Sequence, residues 1–445
     1  MLQNLQFLSQ GEIFPPFDER ERMNRYRHSK LLYEGHHKYV FHRWTKTEGV
    51  EDLNVLVNWH RRLSTLWADM LFGQEPEIKA DNQEALDAII KENDFFERLY
   101  ESAIDVSRFG TGVFKVRLKD GKARIEIAPT DIWFPVVDPA NIKDVQQHVL
   151  AWRYKVKEGD TENWFLSVEI HHKGKVEYRT YRLTKDQGIS TLLEQSEEMT
   201  GVDDFLVRPV HNITTSDKVE GSDDYSDINS LLEEIELRLT QISRVLDNHA
   251  DPSMYGDENA LEFDERTGEY VVRGGGKFFP VSDDTVKPGY LTWNGQLEDA
   301  QAQIKTLMQQ FYVITNTSPA AFGQLEQGLA ESGSALRRLM MATIVKVNRM
   351  KVRYSNAIED VLELAGELQA RNGGLNVGNV SVEFRSALPE DENEKVQNET
   401  TRYGAGLTSR ESALRRLDGT SSEQLENEIN AIVRETEDGT GNEDI

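Results

Sequence analysis

The sequence contains no cysteine. A disulfide framework, a thiolate zinc site, an iron–sulfur cluster and a cysteine nucleophile are all excluded by that absence. Long apolar runs are missing too. No uninterrupted stretch reaches the ~18 residues that a membrane span requires, so no membrane partner is expected. The opening residues, Met1-Leu-Gln-Asn-Leu-Gln6, lack the basic region and apolar core of a secretory signal, and a cytoplasmic setting is the expectation. Positive charge is scarce: 51 Lys and Arg stand against 77 Asp and Glu, for a net charge of −26. A chain that acidic does not coat DNA, so any contact with nucleic acid must be local or steric.

Catalytic signatures are lacking as well. There is no Gly-x-Ser-x-Gly elbow and no His-Glu-x-x-His zinc motif. Gly274-Gly-Gly-Lys277 resembles part of a phosphate loop, but its spacing is wrong and no Ser or Thr follows the lysine to bind magnesium. It reads as a turn. His36-His37 and His171-His172 are adjacent rather than four apart, and on a strand adjacent residues face opposite sides. They read as ordinary surface or core histidines. The sequence therefore predicts no catalytic residue, metal or cofactor, and no enzyme.

What is present is a sizeable chain. Its 445 residues allow two to four domains, or one elaborated chain, and 38% hydrophobic content is enough for a real core. Residues 1 to about 105 read mainly as helix. Leu53, Leu56, Val57, Leu63, Leu66, Trp67, Met70 and Leu71 recur at helical spacing up to Phe72-Gly73, and a second helix is predicted over Asn82–Arg108. From Gly110 the period changes to two. Val113–Leu118 and Ala123–Ile127 flank Asp120-Gly121, a strong hairpin signal. Further strands are predicted at His148–Val156, Trp164–His171 and Val176–Leu183, giving an antiparallel sheet domain that extends to about Val210.

The second half is built on long helices. Ser226 is an expected N-cap for a helix running to His249, with Ile228, Leu231, Leu232, Ile235, Leu239, Ile242 and Leu246 as its stripe. A turn-rich segment with weak strands at Leu261–Phe263, Tyr270–Arg273 and Lys277–Pro280 follows, and it holds nine acids and four bases over 251–293. A second long helix is expected over Gln296–Thr315. A polar loop then leads to a third, Ser334–Gln369, and a short strand at Val380–Phe384. The remainder, Pro389–Ile445, reads as helical and acidic, with fifteen acids, six bases and a disordered tail. The fold class expected is α+β, mainly helical.

One stretch runs against the acidity. Ser334–Arg353 carries six bases and no acid, and Arg338, Lys346, Arg349 and Arg353 fall within about 80° of helical arc. This face reads either as a local contact, to a neighbouring subunit's acids before DNA, or as a solvated helix face.

The order of parts resembles the portal proteins of tailed double-stranded DNA bacteriophages. Three stretches carry the resemblance: Arg108–Leu118 with Ile125–Ile132; Ser318-Pro-Ala-Ala-Phe-Gly323 with Glu331–Arg337; and Leu388-Pro-Glu-Asp391 with Tyr403–Leu414. The resemblance implies a portal fold assembling as a cyclic ring, typically of twelve subunits, at one vertex of the capsid. Residues 1–225 would be the wing, 226–250 and 296–315 the stem helices, and 251–295 the clip. Residues 316–333 would be the tunnel loop, 334–388 the long wing helix with its strand, and 389–445 the crown and acidic tail. It further implies a DNA channel fed by the terminase large subunit, with a head-completion adaptor and the major capsid and scaffolding proteins as partners. The protein would then be a virion component assembled in the host cytoplasm. Asn316, Thr317, Ser318, Gln324 and Gln327 would face DNA, and Asp257, Glu258, Asp283 and Asp284 would form the docking surface of the clip. The tunnel loop carries no Lys or Arg, only Glu326 and Glu331, which suits moving DNA because strong phosphate contacts would hold it. A helical scaffold or assembly factor, or less readily a nucleotide-dependent enzyme, is the alternative.

Overall fold

A computed structural model describes residues 1–42, 55–159, 161–250, 254–257, 262–264, 269–271, 278–281, 289–290, 297–324, 333–385, 392–418 and 429–430. The chain divides into two compact units, the first made of Met1–Ser318 with Ala342–Arg385 and the second of Pro319–Met341 with Ser386–Ile445.

The first unit opens with α1 (Arg20–Tyr33) and α2 (Trp59–Phe72), then β1 (Glu77–Ala80), α3 (Gln83–Glu92) and α4 (Phe95–Phe109). The helical reading of residues 1–14 is corrected. Beyond a short 3-10 turn at Leu5–Leu8, this segment lays Leu2, Phe7, Leu8 and Phe14 onto a sheet. Asn58 caps α2 by accepting from Arg61 N at 2.9 Å, so the helix begins at Trp59 and leaves Leu56 and Val57 outside it. Leu53 lies outside the described residues. The single helix expected over Asn82–Arg108 is two. Asn93 ends the first: its amide donates to Ile89 O (2.8 Å) and Ala123 O (3.2 Å), its oxygen accepts from Ile125 N (2.8 Å), and Asp94 turns the chain at φ 45°. A side-chain amide that competes for backbone partners favours a helix end, but the apolar period runs through the break and hides it.

Gly110 stops α4 at φ 81°, and an added Cβ would sit 2.1 Å from Gly221 O, so this close approach requires glycine on both strands of the crossing. The predicted hairpin follows as β2 (Thr111–Lys119) and β3 (Lys122–Ala128). Lys119 pairs with Lys122 across Asp120 (φ 54°) and Gly121 (φ 75°), the two positive φ values that a type I′ turn demands. Next come β4 (Trp133–Asp138), β5 (Asn141–Glu158), β6 (Thr161–His172), β7 (Lys175–Leu183), β8 (Ile189–Met199) and β9 (Val207–His211). They form two antiparallel sheets, ordered β3-β2-β9 and β4-β5-β6-β7-β8. One face of the larger sheet, with Phe134, Val149, Leu166, Val168 and Ile170, is the core that receives the N-terminal segment. Its other face meets the smaller sheet through Trp133, Leu150, Val113 and Val207.

The next helix is α5 (Asn229–Ala250), three residues later than Ser226 suggests. Asp223 organises that turn instead: its carboxylate accepts from Tyr225 N (2.9 Å), Ser226 N (2.7 Å) and the Ser226 hydroxyl (2.9 Å). After α5 stand β10 (Met254–Asp257), β11 (Glu262–Asp264), β12 (Glu269–Val271), β13 (Phe278–Val281) and β14 (Gly289–Tyr290), and then α6 (Leu297–Thr315), which packs on α5. Among the described residues, the insert holds a three-stranded sheet, β13-β10-β14, in which β10 and β13 run parallel, and an antiparallel pair, β11 with β12.

The third long helix is interrupted at Met340. It consists of α7 (Gly333–Leu339) and α8 (Met341–Arg371), and good helix formers on both sides give no local sign of the break. From α8 the first unit continues to β15 (Val380–Glu383), which pairs antiparallel with β1 from Glu77↔Glu383 to Ala80↔Val380. The second unit holds α7, α9 (Glu392–Gly404) and α10 (Arg410–Asp418). There Glu399 accepts from Arg402 (3.2 Å) and Arg416 (2.9 Å), and Ala413 is buried. The acidic tail after residue 430 lies outside the described residues.

Candidate functional site

The α5–α6 pair is well packed only at its base. Ile228, just before α5, and Leu232 and Ile235 on it are buried, but Leu239 and Ile242 are half-buried and Leu246 is 52% exposed. On α6, Phe311 and Thr315 alone are buried. Ile304, Leu307 and Met308 are half-buried and Val313 is 71% exposed. The α8 helix differs: Val347, Met350, Ile358, Val361, Leu362 and Leu368 are buried, and its exposed apolar side chains, Met341, Val345 and Val352, lie in its N-terminal part. Among the described residues, the apolar stripes of α5 and α6 above Ile235 and Phe311 are only partly covered, and Leu246, Val313 and Ile314 are exposed.

The base is held by polar networks. Glu236 of α5 bonds His37 Nδ1 at 2.7 Å and accepts from Val57 N at 3.1 Å, while Thr240 accepts from Val55 N at 3.0 Å. His60 Nε2 meets Asn229 Oδ1 at 2.9 Å, and burial drives the His60 pKa down to about 3. Beside it, Asp224 accepts from Lys346 Nζ, the Ser107 hydroxyl and Asn212 Nδ2, each at 2.8 Å. Ser107 continues through Ser64 (2.9 Å) to the Tyr225 hydroxyl (2.7 Å). Lys346 Nζ also lies 4.0 Å from the Trp67 ring centroid. Burial lowers the Lys346 pKa, and the attraction of Asp224 opposes that shift. A second, largely buried set spans the sheets. Trp133 Nε1 donates to His148 Nδ1 (3.1 Å), and Thr111 Oγ1 bonds His211 Nδ1 (3.0 Å). Burial lowers His148 to about 3 and His211 to about 4.

These positions correct two site expectations. Lys346 is buried and paired with Asp224, so it cannot serve as an outward contact to DNA or a neighbour; its partner sits 122 residues away, and no local pattern announces it. Thr317 is also buried. Its hydroxyl meets Thr315 Oγ1 at 2.7 Å and its N–H donates to Tyr312 O at 2.9 Å, which makes it part of the α6 C-terminal turn rather than a channel lining. The other basic residues are divided. Arg349 is exposed on α8, and Arg353 is half-buried and donates to His211 O at 3.2 Å. Arg338 is exposed on α7, in the second unit, so the four do not share one continuous helix. In the loop, Asn316 is exposed and turns the chain at φ 56°, Ser318 is half-buried and Gln324 is exposed. Gln327 lies outside the described residues. In the insert, Asp257 ends β10, while Glu258, Asp283 and Asp284 lie outside the described residues.

No group of three or more His, Cys, Asp or Glu among the described residues is arranged to hold a metal ion. Nor is any helix among them long and apolar enough to cross a membrane.

No curated protein sequence matches the chain. Among solved structures, a chain from "Virion of native gene transfer agent (GTA) particle" is similar with a TM-score of 0.49 at 12% identity, covering 93% of this chain and 96% of that one. A chain from "Neck of empty GTA particle computed with C6 symmetry" gives 0.48 at 12% identity over 81% and 90%. The family described as "Phage portal protein, SPP1 Gp6-like" matches residues 18–441, nearly the whole length, and the chain belongs to this family of phage portal proteins.

Proposed function

We propose that the protein is one subunit of a ring-shaped channel at a single capsid vertex. Double-stranded DNA enters through it under the action of a separate terminase motor and leaves through it on infection. Family membership supports this reading, and the single observation that carries it is the apolar surface that the described residues leave partly or wholly open on α5, on α6 and on the N-terminal part of α8. A soluble chain seldom leaves that much apolar helix wet. Packing of each helix pair against its neighbour buries the surface, and because the two flanks of a pair differ, the contact is heterologous and closes into a ring. Exposed Arg338 and Arg349, with Arg353, then face a neighbour's acids, which offsets repulsion between chains of −26 each.

Residues 251–295 form the clip between the two stem helices. Asp257, Glu258, Asp283 and Asp284 there dock basic patches of the motor, and later of the adaptor. Asn316, Ser318, Gln324 and Gln327 line the channel with amide and hydroxyl groups and no cation. Such a lining guides DNA without holding it. The energy of translocation comes from the motor, and this chain hydrolyses no nucleotide.

The reading is tested by deleting Gln324–Ala330. The sequence of this segment reads as a polar loop, which would contribute little to a core, so the variant should fold and assemble as the parent does. Packaged DNA, measured by nuclease protection, should fall about tenfold or more if the loop guides or retains the duplex. Full packaging by the shortened protein would contradict the assignment of this loop to the channel.

A further inference from the structure

The five-stranded sheet ends on β8, and most of that edge is open. The chain's own residues 11–13 pair with its first residues only. Gly11 N donates to Ile189 O (2.8 Å), Ile189 N donates to Glu12 O (2.7 Å), and Ile13 bridges Gly188 in antiparallel sense. The edge is thus competent to take an added strand. From Thr191 to Met199 every residue is exposed, and no strand among the described residues pairs with the outer side. At about 3.4 Å per residue, this is roughly 30 Å of unpaired backbone.

Proteins usually guard such edges with lysine, proline, bulges or a covering loop; β8 has irregularities only in its first half, where Ser190 and Leu193 are skipped in the pairing with β7, and Glu194–Met199 runs in regular register. Here the strand carries Glu194, Glu197 and Glu198 and no base. Lys175 of β7 reaches Glu197 at 3.4 Å and the Tyr178 hydroxyl donates to Glu198 at 3.2 Å; Glu194 has no ion-pair partner among the described residues. Exposed Leu192, Leu193 and Met199 add apolar surface beside the carboxylates.

We propose that β8 is a strand-addition site for an extended basic segment of another protein. Main-chain hydrogen bonds would supply affinity, the three glutamates would select Lys or Arg at facing positions, and Leu192, Leu193 and Met199 would take apolar residues between them. A second copy of this chain is the poorer occupant, because edge-to-edge pairing of two β8 strands brings six carboxylates together on chains already strongly negative. The inference concerns the edge of one subunit and stands apart from the channel reading.

The test uses the full-length protein and two peptides of equal charge, matched in length to residues 191–199. One alternates lysine and valine; the other replaces two central valines by proline, which cannot complete a ladder. Anisotropy should show the valine peptide binding at least about tenfold more tightly. It alone should slow amide hydrogen exchange at residues 191–199. The E194Q/E197Q/E198Q variant, with the exchange pattern of the parent when free, should lose about tenfold in affinity at low salt. Equal binding of both peptides would reduce the effect to bulk charge and overturn the proposal. So would protection confined to other segments, or amides at 191–199 that are already protected without peptide, which would mark the edge as occupied by a second copy.

Discussion

Replacing Lys346 by methionine is expected to lower the unfolding free energy by roughly 3–5 kcal/mol, the usual cost of stranding one member of a buried ion pair. Lys346 Nζ lies 2.8 Å from Asp224 Oδ1, both side chains are buried, and the ammonium also sits over Trp67. The variant leaves the Asp224 carboxylate in the interior with only the Ser107 hydroxyl and Asn212 amide as donors. Neutralising the carboxylate too should recover most of the loss, since the double variant K346M/D224N buries no unpaired charge. Denaturant unfolding of the parent, both single variants and the double variant closes the cycle. A cost below about 1 kcal/mol for Lys346→Met would show that the pair does not hold the base of the helix pair.

Acid is the second large effect. His60 and His148 are buried and His211 is half-buried, and desolvation lowers their pKa values to about 3, 3 and 4 from an ordinary value near 6.5. Between pH 6.5 and about 4 the unfolded chain therefore binds protons that the folded chain does not, so stability rises with pH across this window and falls on acidification. From pH 7 to pH 5 each histidine costs roughly 2 kcal/mol, at about 1.4 kcal/mol per unit below its unfolded value. Asp105 works in the other direction. Burial raises its carboxyl to about 6, and its protonation in the folded state returns on the order of 1 kcal/mol over the same interval. The expected net loss is therefore roughly 5 kcal/mol, visible as a drop in the thermal midpoint between pH 7 and pH 5. His148→Gln should flatten part of that dependence. A midpoint unchanged over this range would mean that these histidines are not held neutral in the folded protein.

What the sequence makes legible, and what it hides, follows from the range of the forces. The β2–β3 hairpin is readable because its turn chemistry is local: Asp120-Gly121 must adopt positive φ wherever it sits. Strands β5, β6 and β7 and helices α5 and α6 are readable from period alone. By contrast, β4 is a nearly continuous apolar run containing Pro135, and β8 is exposed along almost its whole length, so neither alternates in the expected way. The breaks at Asn93 and Met340 interrupt no apolar period. The Asp224–Lys346 pair joins residues far apart in the chain, so a lysine that reads as one of a basic face is in fact sealed inside, and Thr317, in a polar loop by composition, closes a helix end. The partial cover of the helix pair is legible in its period: two helices bracketing a small insert leave part of a broad apolar face half-buried, as Leu239, Ile242, Ile304 and Leu307 are.

The central claim is that the subunits close into a ring, and native mass spectrometry of the purified protein at micromolar concentration, with micrographs of the same sample, tests it most directly. Twelve subunits of 50.9 kDa give about 611 kDa. The expected result is a single closed species at or within one subunit of that mass, with cyclic symmetry and a central hole about as wide as a DNA duplex. A stable monomer or simple dimer, with no ring in micrographs at any salt concentration, would contradict it.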